Sequence, residues 1–220
     1  MKNRVVSLAL VTLFCAAGLS RGGTFLTATI DGDFTEWAAV PVLAADPADN
    51  ANSVDIADVR IANDSNFLYI SYTHHAATPT VPTFVSLDVD SDAATGFNIF
   101  GLGLAGVEAQ WQNDFPFSSS TASFNNGFGM SGDFFGTGGA NISPIGNAIQ
   151  HELAISLDIT FNETGNPVFD DADFDVLVWT DAGSGDVTSP ISYTLAVPEP
   201  GTATLFLAAL VAGSFSRRRR

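Results

Sequence analysis

Three aspartates at alternating positions, Asp88, Asp90 and Asp92, are the residues of this 220-residue chain best placed to do chemistry. On a continued strand, alternate residues share a face and stand roughly 7 Å apart. Carboxylates so arranged repel one another. The segment that follows, Ala93-Ala94-Thr95-Gly96, allows the chain to bend and to curl those carboxylates around one cation. Hard oxygens from Asp88, Asp90, Asp92 and Thr95 suit Ca2+, which takes about six to eight of them. The spacing lacks the sixth-position glycine and distal glutamate of a helix–loop–helix calcium loop, so that class is excluded. A polar strand-end turn with solvated carboxylates is the other reading, and the residues alone leave both open.

Other reactive side chains are less well arranged. His74 and His75 are adjacent, with His151 a conceivable third ligand. Neighbours on a strand point to opposite faces, so the pair is expected to be polar strand-end residues. Carboxylates recur at Asp170, Asp171, Asp173 and Asp175. A glycosidase needs two on opposite sides of a sugar bond, but in so acidic a chain any pair is uninformative. Nucleophile elbow, phosphate loop and zinc spacing are all lacking. These readings favour a protein that is not an enzyme, with a secreted polysaccharide-acting enzyme as the alternative. Trp37, Trp111 and Trp179 have rings that stack on sugars, yet core packing is the expectation for each.

The elements that must position these groups read as strands. Period-two alternation marks Val54–Ala62 and Phe67–Thr73, joined by the turn residues Asn63-Asp64-Ser65-Asn66. Phe67, Tyr69 and Ser71 should face one way, and Leu68, Ile70 and Tyr72 the other. Further strands are expected at Thr24–Ile30, Thr83–Val89, within Phe97–Trp111, at Ile149–Ile159, Phe174–Thr180 and Ile191–Val197, with one helical turn at Phe34–Trp37. Asp114–Ser143 mixes Gly, Ser, Asn and Phe without a steady period, which predicts long loops with one or two short strands. The expected fold class is all-β: a single antiparallel β-sandwich of about eight to ten short strands over residues 24–196. The lone cysteine, Cys15, falls in the leader, so no disulfide is expected to staple the domain.

Both ends carry address information. Lys2 and Arg4 precede an apolar run, Val5–Leu19, followed by small residues, the pattern of a signal peptide over residues 1–20. Phe14 occupies the position before Cys15 where a lipoprotein needs a small residue. At the other end Val197-Pro198-Glu199-Pro200-Gly201 forbids regular pairing, Thr202–Phe215 is apolar, and Arg217, Arg218, Arg219 and Arg220 close the chain. The apolar run has about fifteen residues where a comfortable span takes roughly twenty, so a helix there would cross marginally, as a transient anchor does. Of 24 acidic residues only Glu199 is in this tail, which leaves 23 in the body against Arg60, a formal charge of about −22. Such a charge excludes nucleic acid and anionic lipid as electrostatic partners of the body and makes divalent cations plausible.

The tail resembles the PEP-CTERM sorting signal of Gram-negative bacteria in all three parts. That likeness implies an exosortase-type membrane processing enzyme as partner, removal of the tail, and delivery to the cell surface or an extracellular polysaccharide matrix. The body is similar to family-nine carbohydrate-binding modules and DOMON-like domains. The pieces that carry this are IDGDFTEW at Ile30–Trp37, the SVDIADVRIANDSNFLYISY hairpin, FVSLDVDSDAATGF at Phe84–Phe97, and HELAISL at His151–Leu157 with Ser156 where proline is common. The resemblance implies a β-sandwich and glycan binding. No aromatic pair aligns with the sugar-clamping tryptophans of the binding modules. Haem binding of the DOMON type would need an axial Met, and Met130 is the one methionine beyond the leader.

Overall fold

The computed structural model describes residues 22–198, apart from 51–53, 101–104, 133–135 and 181–184. The expected leader, the tail helix, Glu199, Pro200 and the four terminal arginines lie outside the described residues. What is described is all-β. In chain order the strands are β1 (Thr24–Phe25), β2 (Ala44–Ala45), β3 (Ile56–Asn63), β4 (Phe67–Thr78), β5 (Thr83–Asp88), β6 (Ala109–Gln112), β7 (Phe115–Ser118), β8 (Met130–Ser131), β9 (Asn141–Ser143), β10 (Ala148–Ser156), β11 (Thr160–Phe161), β12 (Asp173–Thr180) and β13 (Ile191–Thr194). A single 3-10 turn, Thr35–Ala39, stands where one helical turn was expected. Among the described residues no helix is long and apolar enough to cross a membrane.

The strands form two large sheets and a small pair. One runs β1-β3-β4-β10-β9, with β2 also on β3, and is antiparallel except for the short β1–β3 pairing. The other runs β13-β12-β5-β6-β7 and is antiparallel throughout. Strands β8 and β11 pair separately. Leu68, Ile70 and Tyr72 of β4 enter one cluster with Val85 and Leu87 of β5, Trp111 of β6 and Val176 and Val178 of β12, so the two sheets share a core. The alternation seen in β4 is what directs those three side chains there. Each such apolar side chain, fully buried, contributes about 1.5–3 kcal/mol.

The reverse faces are covered as well. Phe84, Leu177 and Trp179 pack with Ile99, Val107 and Phe117, and the Phe84 and Trp179 rings stack at 4.2 Å. On the first sheet, Ala62, Tyr69 and Ala154 pack under Ala28, Trp37 and Val40. Here the expected strand Thr24–Ile30 is corrected: only Thr24–Phe25 pairs, and the alternating Leu26, Ala28 and Ile30 pack onto the outer face of the sheet instead. The Asp114–Ser143 stretch carries three short strands, β7, β8 and β9, rather than one or two.

Two carboxylates tie the first sheet to its turns. Asp64 sits in the β3–β4 turn, where Oδ1 accepts the N–H groups of Asn66 and Phe67 at 2.8 and 2.9 Å. Its Oδ2 accepts the hydroxyls of Tyr69 and Thr27. Burial works against the charge of Asp64, but those four donors together hold its carboxyl below the usual range. Glu152, fully buried on β10, accepts the N–H groups of Asp31 and Gly32 at 3.0 and 2.8 Å and the Trp37 indole N–H at 2.8 Å. All three tryptophans are at most 1% exposed, so the expectation of core packing holds for each. Trp111 and Trp179 also donate inward, to Gly138 O and Ser86 Oγ.

Candidate functional site

Strand β5 ends at Asp88, between two neighbours. On one side Asp175 of β12 is its register partner. On the other, β6 pairs with Leu87 at Ala109, which brings the preceding residue, Glu108, alongside. Glu108 is held there by its own backbone: its N–H donates to Leu87 O at 3.0 Å and its carbonyl accepts the Ser119 N–H at 2.8 Å. Its Oε2 accepts the Val89 N–H at 3.0 Å. One carboxylate oxygen from each of Asp88, Asp90 and Glu108 lies within 4.8 Å of the others.

Two of the residues expected to hold a cation, Asp88 and Asp90, are therefore brought together, with Glu108 as the third carboxylate. Asp92 is turned aside. Its N–H donates to Asp90 Oδ1 at 2.9 Å, and its own Oδ1 accepts the Ala94 N–H at 3.0 Å. Thr95 does reach the group: its hydroxyl lies 3.0–3.1 Å from both oxygens of Asp90 and 3.0 Å from Glu108 Oε1. One hydroxyl proton serves one of these oxygens at a time. Burial, then the charge of Asp90, pushes the Asp88 carboxyl up to about 7. Burial raises Glu108 to about 7 as well, against the hydrogen bonds from Val89 and Thr95.

Two glycines make this close approach feasible. Gly96 has φ +62°, and a Cβ there would lie 2.3 Å from Glu108 Oε1 and 2.5 Å from Gly106 O. Gly106, at φ +68°, faces Asp92 O and Ala93 Cα at 2.7 Å in the same way. Glu108 escaped the sequence reading because it is remote from the aspartates in the chain. The one signal was that it is the sole acidic residue between Asp92 and Asp114.

The group opens onto a cleft of about 420 Å3. Asp90 and Glu108 form part of its lining, Glu163, Asp170 and Asp171 add further carboxylates, and Phe161 and Pro167 supply apolar surface. Asp173 and Asp175 are not among the lining residues. A second group of acids, Asp46, Asp49 and Asp186, lies elsewhere. There Asp186 spends both oxygens on the backbone, accepting Ile56 and Val187 N–H groups at 2.8 and 2.7 Å.

The histidines fall on opposite faces as strand geometry requires, but the expectation of polar strand-end residues is corrected: His74 and His75 lie within β4, and His74 is buried. His74 and His151 point into the core with ring centroids 5.4 Å apart. His75 points out, with Nε2 2.9 Å from Asp46 O. His151 has Pro144 O and Thr78 O at its two ring nitrogens, and His74 Nε2 meets the Thr83 hydroxyl. Met130 is buried in the central core.

The last described residues lead out of the body. Asn63 accepts the Ala196 N–H at 2.7 Å and donates to Ala196 O at 3.0 Å, so the chain is clamped up to that residue. Val197 beyond it is 76% exposed. Residues 196–220 match the family described as the PEP-CTERM protein-sorting motif. The tail is a sorting signal. It implies export through an exosortase-type system, with that membrane enzyme as processing partner and the surface or exterior as destination. No curated protein matches the chain.

Proposed function

We propose that this chain is a non-enzymatic protein of the cell surface or extracellular matrix of a Gram-negative bacterium, whose body is a β-sandwich that binds glycan in the cleft beside Glu108. The observation that carries the reading is the sorting motif over 196–220. The clamp on Ala196 and the exposure of Val197 support it, because a processing enzyme needs the Val197–Pro200 spacer free of the fold. In this reading the apolar run Thr202–Phe215 anchors the chain in the inner membrane only until the tail is removed. The shared core of the two sheets supports the sandwich. The likeness to family-nine binding modules gains support from Glu152, which bonds the HELAISL piece to the Asp-Gly and Trp of IDGDFTEW. With all three tryptophans buried, a sugar in the cleft would meet Phe161 and Pro167 and the amides of Asn126 and Asn166.

Mass spectrometry of the protein recovered from the surface of its native host tests the route. The expected C-terminus lies near Pro200, and intact Arg217–Arg220 on that form would sink the idea. A glycan array with the same material tests the cleft. One observation favours the second reading, a polysaccharide-acting enzyme: Glu108, raised to about 7, stands in a cleft that also holds Glu163, Asp170 and Asp171. Release of reducing ends from a bound polysaccharide, lost in Glu108→Gln, would decide for it.

A further inference from the structure

We infer that Asp88, Asp90 and Glu108 form a calcium site in the wall of the cleft. Three carboxylates gathered within 4.8 Å would not by themselves establish one. The deciding feature is Asp88. It is 2% exposed; the Asp92 N–H reaches its carboxyl, but Oδ1 is buried without a hydrogen-bond partner among the described residues. A buried, unpaired carboxylate oxygen is expensive unless a proton or a cation meets it. Among the described residues no side chain supplies that charge: Arg60 is the one lysine or arginine described, and its guanidinium lies beside Asp58, 3.9 Å away. The backbone meanwhile holds Glu108 in place, and the glycine at position 96 leaves room for its carboxylate.

The donor set chooses the ion. It is all carboxylate and hydroxyl oxygen, with no nitrogen or sulfur, which suits calcium or magnesium over zinc or copper. The ligands come from a strand end, a turn with Ser91 at φ +52°, and a residue just before β6. Such an irregular frame fits calcium's flexible coordination better than the strict octahedron of magnesium. Asp90 is exposed, and both it and Glu108 line the cleft, so the remaining coordination positions open there to water or to ligand oxygens. This site stands whether or not the sorting reading does.

The test uses the full-length chain in detergent, stripped with a chelator and titrated with calcium chloride by calorimetry and by thermal unfolding. One saturable site is expected, with Kd on the order of 10⁻⁴–10⁻³ M or tighter, as extracellular calcium modules show. About 5 mM calcium should then raise Tm by several degrees through mass action, and magnesium by less. Asp88→Asn and Glu108→Gln should each weaken binding by about tenfold or more, while Asp92→Asn stays within about twofold. In chelator Glu108→Gln should melt no lower than wild type, because it removes one of three crowded carboxyl groups and its amide oxygen still accepts the Val89 N–H. Absence of saturable heat with an unchanged Tm overturns the proposal. So does wild-type affinity in Asp88→Asn and Glu108→Gln, or a loss in Asp92→Asn as deep as in Glu108→Gln. A Glu108→Gln protein that melts well below wild type in chelator also overturns it, since the carboxylate would then be stabilising without an ion.

Discussion

His74 is a buried base with half of its hydrogen-bonding capacity unmet. Nε2 meets the Thr83 hydroxyl at 3.1 Å, whereas Nδ1 has no partner among the described residues. Burial, then repulsion from His151, pulls its pKa down to about 4, with only a smaller opposing pull from Asp55. The unfolded chain therefore takes up this proton near pH 6.5, before the folded one does. Protonation then favours the unfolded state, so stability falls as pH drops from about 6.5 toward 4. Above pH 6.5 the group contributes no pH dependence. The full loss is up to about 3 kcal/mol. Urea unfolding at pH 7.5, 6, 5 and 4.5 should show it, and His74→Gln should have a shallower slope across that window. Parallel slopes for the two proteins would remove His74 as the cause.

At the scale of elements, Glu152 decides where the N-terminal segment lies. Leu26, Ala28 and Ile30 alternate like a strand, yet the chain leaves the sheet edge after Phe25 because a buried carboxylate on β10 collects the Asp31, Gly32 and Trp37 donors. Burial raises the Glu152 pKa although all three donors favour its charge. Glu152→Ala strands those donors and opens a void beneath Trp37. The expected cost is about 3 kcal/mol, read as a lower urea midpoint with an unchanged slope. Glu152→Gln should cost less, since its amide oxygen still accepts. An alanine variant as stable as wild type would mean that apolar contact alone docks the segment.

The whole molecule is governed by its charge. The body carries a formal charge of about −22, and its single described ion pair, Arg60 with Asp58, is partly exposed at 3.9 Å. A pair of that kind contributes less than about 1 kcal/mol, so net repulsion among carboxylates is the dominant long-range term. Raising sodium chloride from about 10 to about 300 mM shortens the screening length from roughly 30 Å to under 10 Å. With chelator present throughout, Tm should climb by a few degrees over that range. A flat or falling Tm would show that the carboxylates are already neutralised within the fold.

The sequence by itself determined what depends on near neighbours. Alternation in Phe67–Thr73 decides which side chains of β4 enter the core, the Asn-Asp-Ser-Asn turn places the hairpin, and the order of spacer, apolar run and arginines marks the tail. These signals are local because backbone geometry has a period of two in a strand and because proline acts on its own residue. Asp88 and Asp90 were legible for the same reason. Asp92 was misleading, since the alternation that links it to them holds only while the strand continues, and the chain turns at Ser91. Glu108 was decided only by tertiary structure: the β5–β6 register sets it beside Asp88, and register is fixed by pairing between distant segments. The same holds for the cleft, whose walls come from loops around β5, β7 and β11 that no local pattern relates. Two-residue strands such as β2 and β8 are likewise products of pairing, too short to leave any periodicity in the chain.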